Sequence, residues 1–369
     1  MGIKEIKRGK GSVYRVRVLR DGQKYDETFN RKYDAIQFHD RIVKFGGTPV
    51  ETEMTFEVAA AEWIKNHAEV HKAPSSIAGD KRMLAKHILP VLGTLKLRKV
   101  SPRHIEELIC LLKGKDLSKN TVSRYMDVLR TILNYYHRRQ AIASNPMSVI
   151  GRLELDEQVI RFWTRQEVSQ FLDYTKKKYQ GTDRYGVHLL YKVVLYTGMR
   201  FGEAQALAWS AVDFENRLIT VRRSYCNVSK VIRETTKNGK IRHVPLDEAI
   251  HDDLLEAHAN RRNDLVLTLN DRMIDKSNLR NRYFYRDMKE AGVSRIRFHD
   301  LRHTYASHFM MSGGNVYTLQ AILGHSDIKM TSRYAHLAKT HFAEKADIVR
   351  YDDGKVIGVD FQRKTGTEK

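Results

Sequence analysis

The sequence predicts a multidomain, mainly α chain: a small β-sheet-plus-helix unit first, then a helical bundle, then a larger mixed α+β unit. Three observations carry that prediction. An alternating apolar and basic run flanks an Asp-Gly turn near the start. Residues 55–145 repeat apolar side chains at helical spacing. After Trp209, β-like segments interrupt the helical pattern before it returns.

A chain of 369 residues has length for two or three domains, and 41% hydrophobic content fits globular rather than disordered structure. No window approaches the roughly 18 consecutive apolar residues of a membrane span. The opening "MGIKEIKRGKGSVYRVRV" lacks the apolar core of a signal peptide. Cys110 and Cys226 lie in separate regions, which argues against a disulfide framework or a cysteine metal site and fits a reducing cytoplasm. Charge says most. Lys plus Arg is 65 against 44 for Asp plus Glu, a net +21 with a pI near 9.8. An excess of that size points to a polyanionic partner, against the plainer reading of a solvated basic surface. Its spread along the chain points to several nucleic-acid contacts rather than one basic tail.

Residues 1–50 form the first expected unit. In "SVYRVRVLRDGQKYDETF", Tyr14, Val16 and Val18 take one face and Arg15 and Arg17 the other, with Asp21-Gly22 as the hairpin turn. The run "KYDAIQFHDRIVKF" offers Tyr33, Ile36, Phe38 and Ile42 as a helix's apolar positions, and Gly46 to Pro49 break the chain. A small sheet with a basic face can lie on a phosphate backbone or in a major groove.

The second unit, 55–148, reads as all-helical. Thr55 caps one helix, and a second stops near Pro90 and Gly93. Ser101 caps a third, with Pro102 at its first position. The fourth carries Val122, Tyr125, Met126, Leu129, Ile132, Leu133 and Tyr136 as one stripe, with Lys119, Arg124, Arg130, Arg138 and Arg139 off it. A linker over 147–160 leads to the third unit, 160–345, which opens on a Thr164–Glu167 capping box. Its apolar helix ends at Gly198, and strands are expected in "RLITVRRSYC" and "KVIRETTKNGKIRHVPL". A tail, 346–369, contains the strand-like "KVIGVDF".

Four islands in the third unit carry chemistry: "TGMRFGEAQAL" with Arg200 and Glu203, "TKNGKIRHVPL" with Lys237, "HDLRHTYASH" with His299 and Arg302, and "LGHSDIKMTSRYAH" with His325 and Tyr334. Two arginines offer forked donors to one phosphate and stabilise the charge that builds up in its transition state. A tyrosine with an ordinary pKa of about 10 is a poor nucleophile. Cations favour its ionised form, and a histidine can take the proton. A turn lysine can protonate a leaving 5′ oxygen, although Lys240 and Arg242 lie close to Lys237 and spacing alone does not choose among them. Together the parts suit phosphoryl transfer from DNA to tyrosine, with no metal, other cofactor or ATP required.

In kind and order these islands resemble the tyrosine recombinase (phage integrase) family. The resemblance is strong over 160–345, which implies a catalytic domain of tyrosine recombinase type. The helical unit resembles the family's core-binding domain in pattern and position, and residues 1–50 resemble the arm-binding domain of larger integrases. The resemblance implies that Arg200, Lys237, His299, Arg302 and His325 surround the scissile phosphate and that Tyr334 attacks it. It also implies a 3′-phosphotyrosyl intermediate, a Holliday junction and a homotetramer on paired double-stranded attachment sites. The implied protein is the integrase of a prophage or integrative element in the bacterial cytoplasm, with an excisionase and a DNA-bending host protein as further partners and no role at a membrane.

The same residues admit other readings. Glu203 and Asp300 read as residues that orient arginines or cap helices, and His303 as a packing residue behind the site. His299 and His303, four apart, invite a zinc reading, but Asp300 stands where a zinc hydrolase wants Glu, and Arg302 sits between them. "VYTLQAILGHSDIKMTSRYAHL" passes alone for a helix-turn-helix of a non-enzymatic DNA-binding regulator. A dimer resolvase or a tyrosine topoisomerase shares the chemistry.

Overall fold

The computed structural model describes residues 2–8, 11–20, 23–45, 54–156, 159–236 and 239–341. The chain divides into two compact units, Met1–Gln158 and Val159–Lys369. The Asp21-Gly22 turn, the break at 46–49, Lys237 with Asn238, and the tail over 346–369 lie outside the described residues.

In the first unit, β1 (Ile3–Arg8), β2 (Gly11–Arg20) and β3 (Gln23–Phe29) form an antiparallel meander, with α1 (Lys32–Phe45) packed on it. The alternation in β2 holds: Val16 and Val18 are buried with Ala35 and Ile42 of α1. Of the four expected apolar positions of α1, Phe38 and Ile42 hold and Tyr33 and Ile36 do not. Tyr33 is 69% exposed and Ile36 also faces water, while Ala35, Phe38 and Ile42 face the sheet at i, i+3 and i+7. One side of a helix buries a single stripe, so only one of two overlapping apolar registers is used. The basic face of β2 is partly neutralised, because Arg15 and Arg17 both pair with Asp26 of β3, at 2.6 and 2.9 Å.

A separate core lies in the helices that follow. These are α2 (Phe56–Trp63, running on through a π-turn to His71), α3 (Pro74–Met83, running on to Leu92), α4 (Pro102–Lys113) and α5 (Lys119–Arg138). Thr55 caps α2 and Ser101 caps α4 as expected, and the whole predicted stripe of α5 is buried. Helix α3 stops near Pro90 and Gly93 as expected, and its last turn carries Pro90. A π-turn at Leu84–Ile88 precedes it, and the Leu89 N–H bonds back to Leu84. That re-spaces the hydrogen-bond ladder just where proline withholds a donor, and the helix ends at Leu92 before Gly93.

The second unit opens with α6 (Arg165–Tyr179), held by the reciprocal Thr164–Glu167 box, and continues through α7 (Tyr185–Thr197) and α8 (Phe201–Gln205). Five short strands follow: β4 (Val212–Asp213), β5 (Leu218–Val221), β6 (Ser224–Cys226), β7 (Val231–Arg233) and β8 (Arg242–Pro245). They make an antiparallel sheet in the order β4-β5-β8 and a β6-β7 hairpin, so each predicted β stretch is shared between the two. Helices return as α9 (Glu248–Ala259), α10 (Tyr285–Ala291), α11 (Asp300–Met311), α12 (Val316–Leu323) and α13 (Lys329–Ser332). The central helix α7 is buried nearly all round and packs against α6 and α11. Under it lies a satisfied polar centre, where the fully buried Asp287 accepts hydrogen bonds from Tyr179, Tyr191 and Lys178.

Candidate active site

The site is assembled at the C-terminal end of α12. Its first arm is a sharp stop. Helix α7 ends at Gly198, whose φ is 62°, and a Cβ there would lie 2.7 Å from the Tyr305 ring and 2.8 Å from Leu323. The chain turns and restarts as α8 with Arg200 at its N-cap. The carboxylate of Glu203, three residues on, takes the Arg200 backbone N–H at 2.8 Å and its Nη1 at 2.9 Å. It also takes both terminal nitrogens of Arg242, from β8, at 3.0 and 2.6 Å. Glu203 is 2% exposed. Burial alone would raise its pKa, but the Arg242 pair, and then Arg200, hold it at about 2.

Three arginines then grip three successive carbonyls of one helix end. Arg242 Nε donates to Ile322 O at 2.7 Å, Arg302 Nη2 to Leu323 O at 2.6 Å, and Arg200 Nη2 to Gly324 O at 3.3 Å. These carbonyls have no partner within an α-helix, and they form the negative end of its dipole. Arg302 also donates to Gly198 O at 2.7 Å, tying the two turns together. Burial, and the charge of Arg200, lower Arg302 to about 9, so it stays cationic at neutral pH. Gly324 has φ 64°, and a Cβ there would meet Arg242 Cδ at 2.9 Å. We therefore expect Gly324→Ala to cost about 1–2 kcal/mol through the left-handed backbone alone. It should also push Arg242 off Glu203. The melting temperature should fall; an unchanged melting temperature would remove the packing argument.

The histidines and the tyrosine complete the cluster. His325 follows Gly324, and its Nδ1 lies 2.9 Å from the buried hydroxyl of Thr331. Burial, then Arg302 and Arg200, push it down to about 3, so it is neutral at pH 7. His299 sits at the N-cap of α11, three residues before Arg302. Partial burial of its ring, with His303 and Arg302 nearby, lowers its pKa, a pull that water at its exposed edge weakens. Tyr334 follows α13 and is 3% exposed, packed with Ala306, Met310, Leu319 and Leu323. Its hydroxyl makes a close contact with His303 Nδ1.

Residues 161–341 match the model of the phage integrase family, and residues 55–112 match that of the phage integrase N-terminal SAM-like domain. The chain belongs to the phage integrase family. It is 27% identical over 231 residues to the integrase of Escherichia phage 186, covering 62% of this chain and 60% of that one. It is 24% identical over 351 residues to the integrase of Haemophilus phage HP1, covering 92% and 94%. The fold is similar to that of the Tn1549 transposon integrase in complex with a circular intermediate DNA, with a TM-score of 0.68 and 22% identity over 79% of this chain and 99% of that one. It is also similar to a lambda integrase dimer bound to a COC′ core site, with a TM-score of 0.63 and 16% identity over 90% and 94%.

Of the six site residues expected from the sequence of this tyrosine recombinase, five are brought together and Lys237 lies outside the described residues. Its described flanks are hydrogen-bonded to each other: the Gly239 N–H donates to Thr236 O at 3.0 Å. Tyr334 is protonated at rest, because burial raises its pKa by more than Arg302 and Arg333 lower it. His303, read from the sequence as a packing residue behind the site, meets the tyrosine hydroxyl. The helix-turn-helix reading has no recognition helix here, since α13 spans only Lys329–Ser332 and Tyr334 is buried. No helix among the described residues is long and apolar enough to cross a membrane. Sequence reasoning missed Arg242 as an organiser. The signal was present: β8 alternates in and out, which puts Arg242 on the inward face with Val244.

Proposed function

We propose that this tyrosine recombinase is a mobile-element integrase that cuts and rejoins double-stranded DNA at specific attachment sites. The observation that best supports this is the convergence of Arg200, Arg302 and His325 on one helix end, with Tyr334 beside Arg302. In this reading the two arginines bind the non-bridging oxygens of the scissile phosphate and stabilise the charge that grows there. His299 and His325 add hydrogen bonds. Tyr334 Oη attacks phosphorus, the 3′-phosphotyrosyl bond forms, and the bond to the 5′ oxygen breaks, with Lys237 supplying that oxygen's proton. The covalent link conserves the bond energy, so the 5′ hydroxyl of a partner strand reverses the step without ATP or metal. Residues 1–50 serve as the arm-type DNA-binding domain, 55–148 as the core-binding domain, 160–345 as the catalytic domain, and 346–369 as a tail that docks on a neighbouring protomer. Strand exchange passes through a Holliday junction in a homotetramer. An excisionase and a DNA-bending host protein act as accessory partners in the bacterial cytoplasm.

A duplex nicked next to the cut site, so that the released fragment diffuses away, tests the chemistry. The wild-type protein should accumulate as a denaturation-resistant DNA adduct in the presence of a chelator. A protein that binds the site yet forms no adduct would be a binder only. The +21 charge predicts a second result. The logarithm of affinity should fall linearly with the logarithm of salt concentration, by about 0.9 for each phosphate neutralised. A flat profile would overturn the electrostatic reading.

A further inference from the structure

We propose that His303 is the proton acceptor for Tyr334, which makes it a catalytic residue in its own right. The inference deepens the reading of Tyr334 as nucleophile and rests on it. The geometry is direct: among the described residues, His303 Nδ1 is the hydrogen-bond partner of the Tyr334 hydroxyl. The other two histidines are placed differently. His325 Nδ1 is engaged by Thr331. His299 stands one turn back on α11 with its ring 5.1 Å from that of His303, nearer the solvent.

For the hydroxyl to give up its proton, Oη must donate and Nδ1 accept, which requires the tautomer with the ring's own proton on Nε2. The ring must be neutral to accept. The groups facing it are His299, Asp300 and Arg302 of its own helix, Arg297 before that helix, Arg333 and Tyr334 from the segment after α13, and His325. Burial lowers its pKa; Asp300 opposes, and Arg333, Arg297 and Arg302 add to the lowering. His303 is therefore neutral at pH 7. As the Oη–phosphorus bond forms, the O–H bond breaks and its proton passes to Nδ1, leaving an imidazolium. When the 5′ hydroxyl attacks in the rejoining step, Oη leaves phosphorus and takes that proton back. The same contact explains how a buried tyrosine with a raised pKa can act near neutrality: it is never required to ionise in advance.

The test is single-turnover cleavage of the nicked duplex across pH, with DNA binding measured alongside. His303→Asn places an oxygen where Nδ1 stood, so it keeps the hydrogen bond but cannot take the proton. We expect cleavage to fall about 100- to 10,000-fold. Wild-type cleavage should decline on the acid side as His303 protonates, and that decline should vanish in His303→Asn. His303→Ala, which opens a cavity beside Oη, should be rescued by added imidazole in proportion to its neutral fraction. If either variant folds poorly, the other and the wild-type profile still decide. An Asn variant with the wild-type rate and acid limb, or an Ala variant that binds DNA yet ignores imidazole, would overturn the proposal. So would loss of the acid limb in His299→Asn but not in His303→Asn. Tyr334→Phe separates the two levels, because an adduct in that variant overturns the nucleophile itself, whereas the other failures leave it standing.

Discussion

Tyr334→Phe should abolish covalent capture of DNA while leaving DNA binding at the wild-type level. The substitution removes one oxygen and keeps the ring. That ring is the part that packs against Ala306, Met310, Leu319 and Leu323, so the fold around α12 is retained. The lost hydrogen bond to His303 costs about 0.5–1.5 kcal/mol of stability. Without the oxygen no phosphotyrosyl bond can form, and the arginine cluster alone offers no substitute nucleophile. The measurement is paired: mobility shift for binding, and a denaturing gel for adduct on the nicked duplex. An adduct that persists at wild-type yield would sink the assignment and send the search to another hydroxyl.

Glu203→Gln should be the most destabilising single change in the site, at about 3–5 kcal/mol. Glu203 carries the only carboxylate hydrogen-bonded to Arg200 or Arg242 among the described residues. Gln keeps the shape but leaves Arg242, itself buried, without a counter-charge. A fall of roughly 2–4 °C in Tm for each kcal/mol is expected for a unit of this size. Cleavage should drop as well, since Arg200 loses its anchor. The pH dependence gives an independent check. The carboxyl of Glu203 is depressed from 4.5 to about 2 in the folded chain. A depressed carboxyl stabilises the fold above its unfolded pKa, and that stability is lost as pH falls through the folded value. The loss amounts to about 3 kcal/mol between roughly pH 4.5 and pH 2. The gap between wild type and Glu203→Gln should therefore narrow as pH falls through that window. Parallel stability curves down to acid would show that the carboxylate is not held by its partners.

Much of this was legible before any coordinates. The caps at Thr55, Ser101 and Thr164 and the stripe of α5 depend on residues three, four or seven apart, and such contacts repeat with the helix itself. The four islands were legible for a different reason, since each has its own residue types and they fall in one order. Where two local patterns overlapped, sequence reading failed. Tyr33 and Ile36 read as one stripe with Phe38 and Ile42, but the sheet takes Ala35, Phe38 and Ile42 and leaves the other two in water. The π-turn ahead of Pro90 also went unread, because it leaves no mark in composition.

The sequence by itself determined which residues can do phosphate chemistry, and which stretches are helix or strand, because those properties belong to residue type and short spacing. Tertiary structure decided the rest. Arg242 and Arg302 reach their carbonyl partners across 80 and 104 positions, distances that only packing closes. It also decided that Tyr334 rests protonated against His303, because burial sets which way a pKa moves, and burial is a property of the folded neighbourhood.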